Sequence, residues 1–437
     1  MINKFVVTLT MVLLTCTQFV SANPTSIGER ISINSTVLNE ARELQVLLPE
    51  SYHSNSDANY PVIYLIDGDY NFHAVSGMLD LLSNKGQLIP DVILVGIADK
   101  GTDRYRQFMT PEGLTEDGKE TGKASVFLRF IKEEVKPYLN IKYRITDNAT
   151  LVGHSMGGLF VLNALLKSPE TFEYYVSISP SVWVNNHAII KQGKELIGKN
   201  KHQPVSLYLS LGDETQMGQY GFIHLLDDSQ PDNIDWQFNH YPDESHNSVG
   251  IISLRNSLKH QYKDWYINEK ALTKLSQQKP SQQKPSQQKT ALADVIIAHY
   301  QQQLSQFNIK QAIPGPSIRA VIRSFYGQKN QADIPALISR IKKELPTSEQ
   351  AFILTYASYV GHYDSPAAAL AILQASESRF AHSLEYIKSI AGQYQKLNKR
   401  QKAFDYYQKA MKLAKQHHAN QWQINIIAAK LLETADQ

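Results

Sequence analysis

The sequence predicts an α/β domain with a mostly parallel sheet, then a spacer, then an all-helical domain. Three observations predict it. Across residues 24–269, apolar runs of strand length alternate with runs of helical periodicity. A Gln-Lys-Pro-Ser tract interrupts the chain at 276–289. Beyond it the pattern is helical throughout, and small residues recur at a fixed spacing. The length, 437 residues, exceeds what one core ordinarily holds, so two domains are expected.

Residues 1–22 read as a secretory signal. Lys4 supplies the positive end, residues 5–20 form an apolar region with few polar interruptions, and Val20-Ser21-Ala22 is a small-residue cleavage site. The run is short for a membrane span, so the expectation is export to the periplasm or beyond, with no stable membrane anchor. The single cysteine, Cys16, lies in this segment. The exported chain would then carry no thiol, which excludes cysteine nucleophiles and thiolate metal sites.

The first domain is expected over 23–270. Two extended runs at 30–48 suggest an opening hairpin. Residues 60–66 form a buried strand stopped by Asp67-Gly68, and 92–97 form the next. Phe127, Phe130, Ile131, Val135 and Leu139 share one face of a helix at 124–139. A strand ending in Thr150-Leu151-Val152 precedes a helix at 159–166. Strands follow at 174–179, 205–211 and 236–241, with helices at 186–197 and 248–265.

The spacer is expected over 271–290. Its repeats of Gln-Gln-Lys-Pro-Ser hold no apolar residue, so few contacts should cross it and the two domains should fold separately. The helical domain is expected over 291–437. Ala357, Ala369, Leu373 and Ser376 recur 34 residues later as Ala391, Ala403, Tyr407 and Ala410. That period resembles tetratricopeptide repeats. The resemblance implies a protein partner, self-association, or a cover over the other domain's site. Net charge is only +3, and no basic stripe is interleaved with aromatics, so no nucleic-acid partner is expected.

The chemistry centres on Gly153-His154-Ser155-Met156-Gly157-Gly158. A serine hydroxyl is a weak nucleophile, so it must be held exposed beside a base. A strand-turn-helix elbow does this, and glycines on either side let the chain segments pass closely. The Met156 N–H is then one oxyanion donor, and the Asp69 N–H is the second, if Gly68 makes a tight turn in Asp67-Gly68-Asp69. His246 is the expected base: it follows the last strand in a polar loop. His240, His224 and His260 read as strand or helix positions. The acid should follow the strand 205–211, where Asp213 and Glu214 both qualify; Asp227, Asp228 and Asp232 are weaker. There is no His-Glu-x-x-His and no carboxylate cluster at ligand spacing, so neither metal nor cofactor is expected.

Five motifs resemble one family. They are Tyr64-Leu65-Ile66-Asp67-Gly68-Asp69-Tyr70, Arg104-Tyr105-Arg106 with Thr110-Pro111, Gly153–Gly158, Ser179-Pro180-Ser181-Val182-Trp183, and Glu244-Ser245-His246-Asn247-Ser248. The family is the α/β-hydrolase group of siderophore trilactone esterases, feruloyl esterases, esterase D and mycolyltransferases. The resemblance covers about 25–268. It implies an α/β-hydrolase fold and serine esterase chemistry through an acyl-enzyme. It implies a small-molecule ester as substrate, a siderophore or another acyl or aryl ester. It also favours Glu214 over Asp213 and supports Asp69 and Met156 as donors. An acyltransferase with the same triad, or a non-catalytic platform for a partner, are the competing expectations.

Overall fold

The computed structural model describes residues 26–114, 118–197, 204–277, 292–417 and 419–435. The expected signal at 1–22 and most of the expected spacer lie outside them.

The opening hairpin is β1 (Glu29–Ser35) and β2 (Glu40–Leu47), paired antiparallel. β3 (Tyr60–Ile66) and β4 (Ile93–Ile97) follow, then β5 (Ile145–His154), β6 (Tyr174–Ile178), β7 (Val205–Leu211) and β8 (Ile234–His240). Among the described residues they form one eight-stranded sheet, ordered β1-β2-β4-β3-β5-β6-β7-β8. From β4 to β8 every pairing is parallel, and β2 joins β4 antiparallel. β3, β4 and β6 are buried along their whole length, which is why they read as unbroken apolar runs.

One face of the sheet is covered by α3 (Ala124–Phe130, continued by a π turn at Ile131–Val135 into Lys136–Lys142) and α4 (Met156–Lys167). α4 is buried from Gly157 to Leu166, so it reads as apolar all round rather than amphipathic. On the same face lie α5 (Val184–Leu196) and α6 (Gln219–Ser229). The other face carries α1 (Gly68–Leu79) and α7 (Val249–Gln261). α2 (Thr102–Met109) packs beside α3.

The chain continues into α8 (Glu269–Gln277). Residues 271–277, expected as spacer, are therefore helical. The reason is an apolar stripe: Leu272 is buried, and Ala271 and Leu275 pack beside it. The helical half then comprises α9 (Leu292–Gln306), α10 (Gly315–Gly327), α11 (Ile334–Glu344), α12 (Glu349–Tyr363), α13 (Pro366–Gln374), α14 (Leu384–Lys396), α15 (Arg400–Gln416) and α16 (Gln421–Ala435). The recurring small residues Ala357, Ala369, Ala391, Ala403 and Ala410 are buried in one cluster. A Cβ on Gly361 would lie 3.2 Å from that of Ala369, so α12 and α13 touch closely. Ser365 and Ser383 cap α13 and α14, accepting from the N–H groups of Ala368 and Tyr386.

The helical half docks at the end of the sheet where the parallel strands begin. Asn59 precedes β3 and Asp91 precedes β4. The Lys310 N–H donates to Asn59 Oδ1 (2.6 Å), and Asn59 Nδ2 donates to the Asn308 carbonyl (3.2 Å). Gln311 Nε2 donates to the carbonyls of Asn59 (3.0 Å) and Asp91 (2.8 Å), and its oxygen accepts from the Asp91 N–H (2.9 Å). Phe307 and Ile309 join the core around Tyr262 and Trp265. Contacts therefore cross between the halves where few were expected, and they lie away from the strands' C-terminal edge, where a cover over the site was one of the alternatives. Among the described residues the docking is made by 307–315, which follow the polar tract and carry no composition signal of their own.

Candidate active site

In a parallel sheet the C-terminal strand edge gathers the connecting loops, and ligands bind there. The loops after β3, β5, β7 and β8 carry Asp67 to Asp69, Ser155, Glu214 and His246.

Ser155 has φ 57° and ψ −114°. An L-residue avoids this region, at a cost of about 1–3 kcal/mol, and holds it only when its surroundings fix it. Here the Ser155 N–H donates to the Ile178 carbonyl (2.9 Å), and its own carbonyl accepts from Leu159 and Ser181 (both 3.1 Å). The glycines are needed. A Cβ on Gly153 would lie 2.2 Å from the Gly157 carbonyl oxygen, and one on Gly158 would lie 2.9 Å from that of Ile178. Ser155 Oγ sits 3.3 Å from Ser181 Oγ.

The turn after β3 differs from expectation. Asp67, not Gly68, takes the left-handed conformation (φ 62°, ψ 44°). Aspartate tolerates it better than most residues. Gly68 serves close approach instead: a Cβ there would lie 2.8 Å from the Gly96 carbonyl carbon. Asp67 accepts from the Tyr105 hydroxyl (2.8 Å). Burial pushes its carboxyl up to about 7, against the lowering effect of that bond.

Met156 and Asp69 occupy the first turns of α4 and α1, where N–H groups lack intrahelical acceptors. Both helices start beside adjacent strands, with their positive ends at the same edge.

His246 Nδ1 lies 2.5 Å from Glu214 Oε1. Ser179 Oγ donates to Glu214 Oε2 (3.2 Å) and accepts from the Gly212 N–H (3.2 Å), so both carboxylate oxygens are engaged. Asp213 is exposed, and its N–H donates to the Glu244 carbonyl (2.6 Å). Asp227, Asp228 and Asp232 are also exposed, with Asp228 3.3 Å from His224. His240 ends β8, and His260 Nδ1 lies 3.5 Å from the Tyr174 hydroxyl.

Two neighbours were not singled out from the sequence. The His154 ring packs on His246, centroids 4.5 Å apart. Burial, and secondarily His246, hold its pKa down at about 4, so it is neutral near pH 7. As the variable residue of its motif, His154 gave no signal. Ser181 did: it lies in one of the motifs that carry the family resemblance.

A cavity of about 580 Å³ opens beside Glu214, lined by Trp183, Asp213, Thr215, Gln216 and Met217. Its size suits a small organic ligand. Among the described residues no group of three or more His, Cys, Asp or Glu is placed to hold a metal ion.

The family profile described as "Putative esterase" matches residues 35–218. The chain is 32% identical over 197 residues to the ferri-bacillibactin esterase of Bacillus subtilis, covering 41% of this chain and 68% of that protein. It is 37% identical over 179 residues to the triacetylfusarinine C esterase of Aspergillus fumigatus, covering 38% and 61%. The solved structure of an IroE-like serine hydrolase from Shewanella oneidensis superposes with a TM-score of 0.57 at 25% identity, covering 74% of this chain and 99% of that one. The chain belongs to this esterase family of α/β-hydrolases and is a carboxylic-ester hydrolase.

Proposed function

We propose that this is an exported serine esterase that cleaves a siderophore or a related acyl or aryl ester through an acyl-enzyme. Ser155 attacks the ester carbonyl. Glu214 engages His246 Nδ1, which leaves Nε2 as the nitrogen that takes the serine proton. Glu214 fixes that tautomer and balances the imidazolium; Asp213 does not take part. The N–H groups of Met156 and Asp69 stabilise the oxyanion. Histidine then returns the proton to the leaving alcohol, and water repeats the cycle on the acyl-enzyme. The observation that carries the reading is the 2.5 Å contact of Glu214 with His246, at the edge where Ser155 is held in its strained elbow.

The substrate class rests on the relatives, named for ferri-bacillibactin and triacetylfusarinine C. Trp183 and Met217 beside Glu214 suit an aromatic or apolar acyl group. Export rests on residues 1–22. Among the described residues no helix is long and apolar enough to cross a membrane. The test is turnover on a panel of trilactone siderophores, aryl esters and simple acyl esters, with fluorophosphonate labelling of Ser155. Labelling at another residue, or turnover of none of the panel, would overturn the proposal.

A further inference from the structure

We infer that Gln45 and Tyr105 form a polar clamp that aims the Asp69 N–H into the oxyanion hole, acting from opposite sides of the turn at Asp67 to Asp69. The inference rests on the reading of Asp69 as a donor.

Gln45 is a buried polar residue on β2, only 6% exposed. Its amide lies in a slot between two glycines: a Cβ on Gly68 or Gly96 would come within 3.0 or 3.1 Å of it. In the orientation that satisfies both ends of the amide, its nitrogen donates to the Gly68 carbonyl (2.9 Å) and its oxygen accepts from Arg30 (2.8 Å). In a trans peptide the carbonyl of one residue and the N–H of the next point opposite ways. Holding the Gly68 oxygen toward β2 therefore turns the Asp69 N–H away from β2. In the sheet β2 lies to one side of β3, beyond β4, and β5 with Ser155 lies to the other.

Tyr105 acts from α2. Its hydroxyl donates to Asp67 Oδ2 (2.8 Å). That same oxygen would lie 3.1 Å from a Cβ on Gly157, so the carboxyl is seated against the residue that follows Met156. The Asp67 side chain thus spans from Tyr105 to the elbow and couples the turn to it. A left-handed Asp67 persists only if something fixes it, and these contacts do so. The Gln45 amide is spent on the turn, beyond what strand pairing requires of β2.

Tyr105→Phe removes one hydroxyl and little volume. Gln45→Met removes the donor and keeps the length, while Gln45→Glu keeps the shape and loses the donor. Each variant is expected to lower kcat about 10- to 100-fold, less than outright loss of a donor, with KM within about twofold. Affinity for an aryl trifluoromethyl ketone, whose hemiketal places an oxyanion in the hole, should fall in proportion. Folded variants with lower melting temperatures but wild-type kcat and ketone affinity would make the clamp purely structural and overturn it. Wild-type enzyme that fails to label at Ser155 would overturn the esterase mechanism, and the clamp with it. Normal Ser155 labelling with unchanged ketone affinity in all three variants would overturn the clamp alone.

Discussion

The two edges of the sheet contrast. At the C-terminal edge Asp67, Ser155 and Ser179 all hold positive φ without being glycine. At the N-terminal edge Asn59, Asp91 and Gln311 satisfy one another, and Phe307 and Ile309 fill the core beside them. Positive φ is not confined to one edge, since Asn308 and Gln87 hold it at the docking edge, but there the residues are tied across the halves by hydrogen bonds, while at the C-terminal edge they hold polar groups beside a cavity. The difference teaches that the strained residues of the C-terminal edge are held by their own neighbours, Ser155 by Ile178 and Ser181 and Asp67 by Tyr105, and not by the helices at the far end.

Four predictions break or sharpen this contrast. The largest effect belongs to Ser155→Ala, which should lower kcat by about 10⁴-fold or more and leave the melting temperature unchanged, because it removes one oxygen and no packing. Steady-state kinetics with thermal melts checks it, and retention of a tenth of the activity would remove Ser155 from the mechanism. Glu214→Gln comes next, with a loss of about 10²- to 10⁴-fold, while Asp213→Asn stays near wild type. Equal and mild losses in the two would move the acid elsewhere.

The third prediction concerns the packed edge. Phe307→Ala should cost about 3 kcal/mol of stability and leave kcat intact. Urea denaturation reads the first and ester turnover the second. In the same sense, a chain cleaved within 278–291 should stay together through gel filtration, since the described docking contacts join residues on either side of the cut. Clean separation into two stable pieces would show that the interface contributes little.

The smallest effect is in the pH dependence of stability. Asp67 has its pKa raised from 3.8 to about 7, so its contribution is full below about pH 4 and is lost as pH rises through 7. His154 is held down from 6.5 to about 4, so its contribution is present above about pH 6.5 and is lost as pH falls toward 4. The two slopes oppose each other in one window. Asp67→Asn should leave stability rising with pH there, and His154→Phe should leave it falling. Denaturation midpoints at about pH 4.5, 5.5 and 6.5 test the signs. Parallel shifts in both variants would contradict the burial argument.

The sequence by itself determined β3, β4 and β6, because a parallel strand buried on both faces is an unbroken apolar run, and it marked β8 by alternating apolar residues instead. It determined the elbow, because Gly153 and Gly158 are needed wherever that backbone is built. It determined that the chain beyond the tract is helical, because small and large apolar residues recur there at helical spacing. Tertiary structure alone decided the rest. Asp213 and Glu214 are chain neighbours of equal chemistry; the residues alone left both open, the family resemblance favoured Glu214, and the fold turns Glu214 to His246 and Ser179 and Asp213 to solvent. The left-handed residue proved to be Asp67, while Gly68 is taken up by its approach to Gly96, a contact between the start of α1 and β4. The docking of the helical half joins Asn59 to Lys310 across 251 positions. Periodicity and turn chemistry record what a segment does with its near neighbours. A contact at that separation leaves no such pattern, so it becomes visible only once the chain is folded.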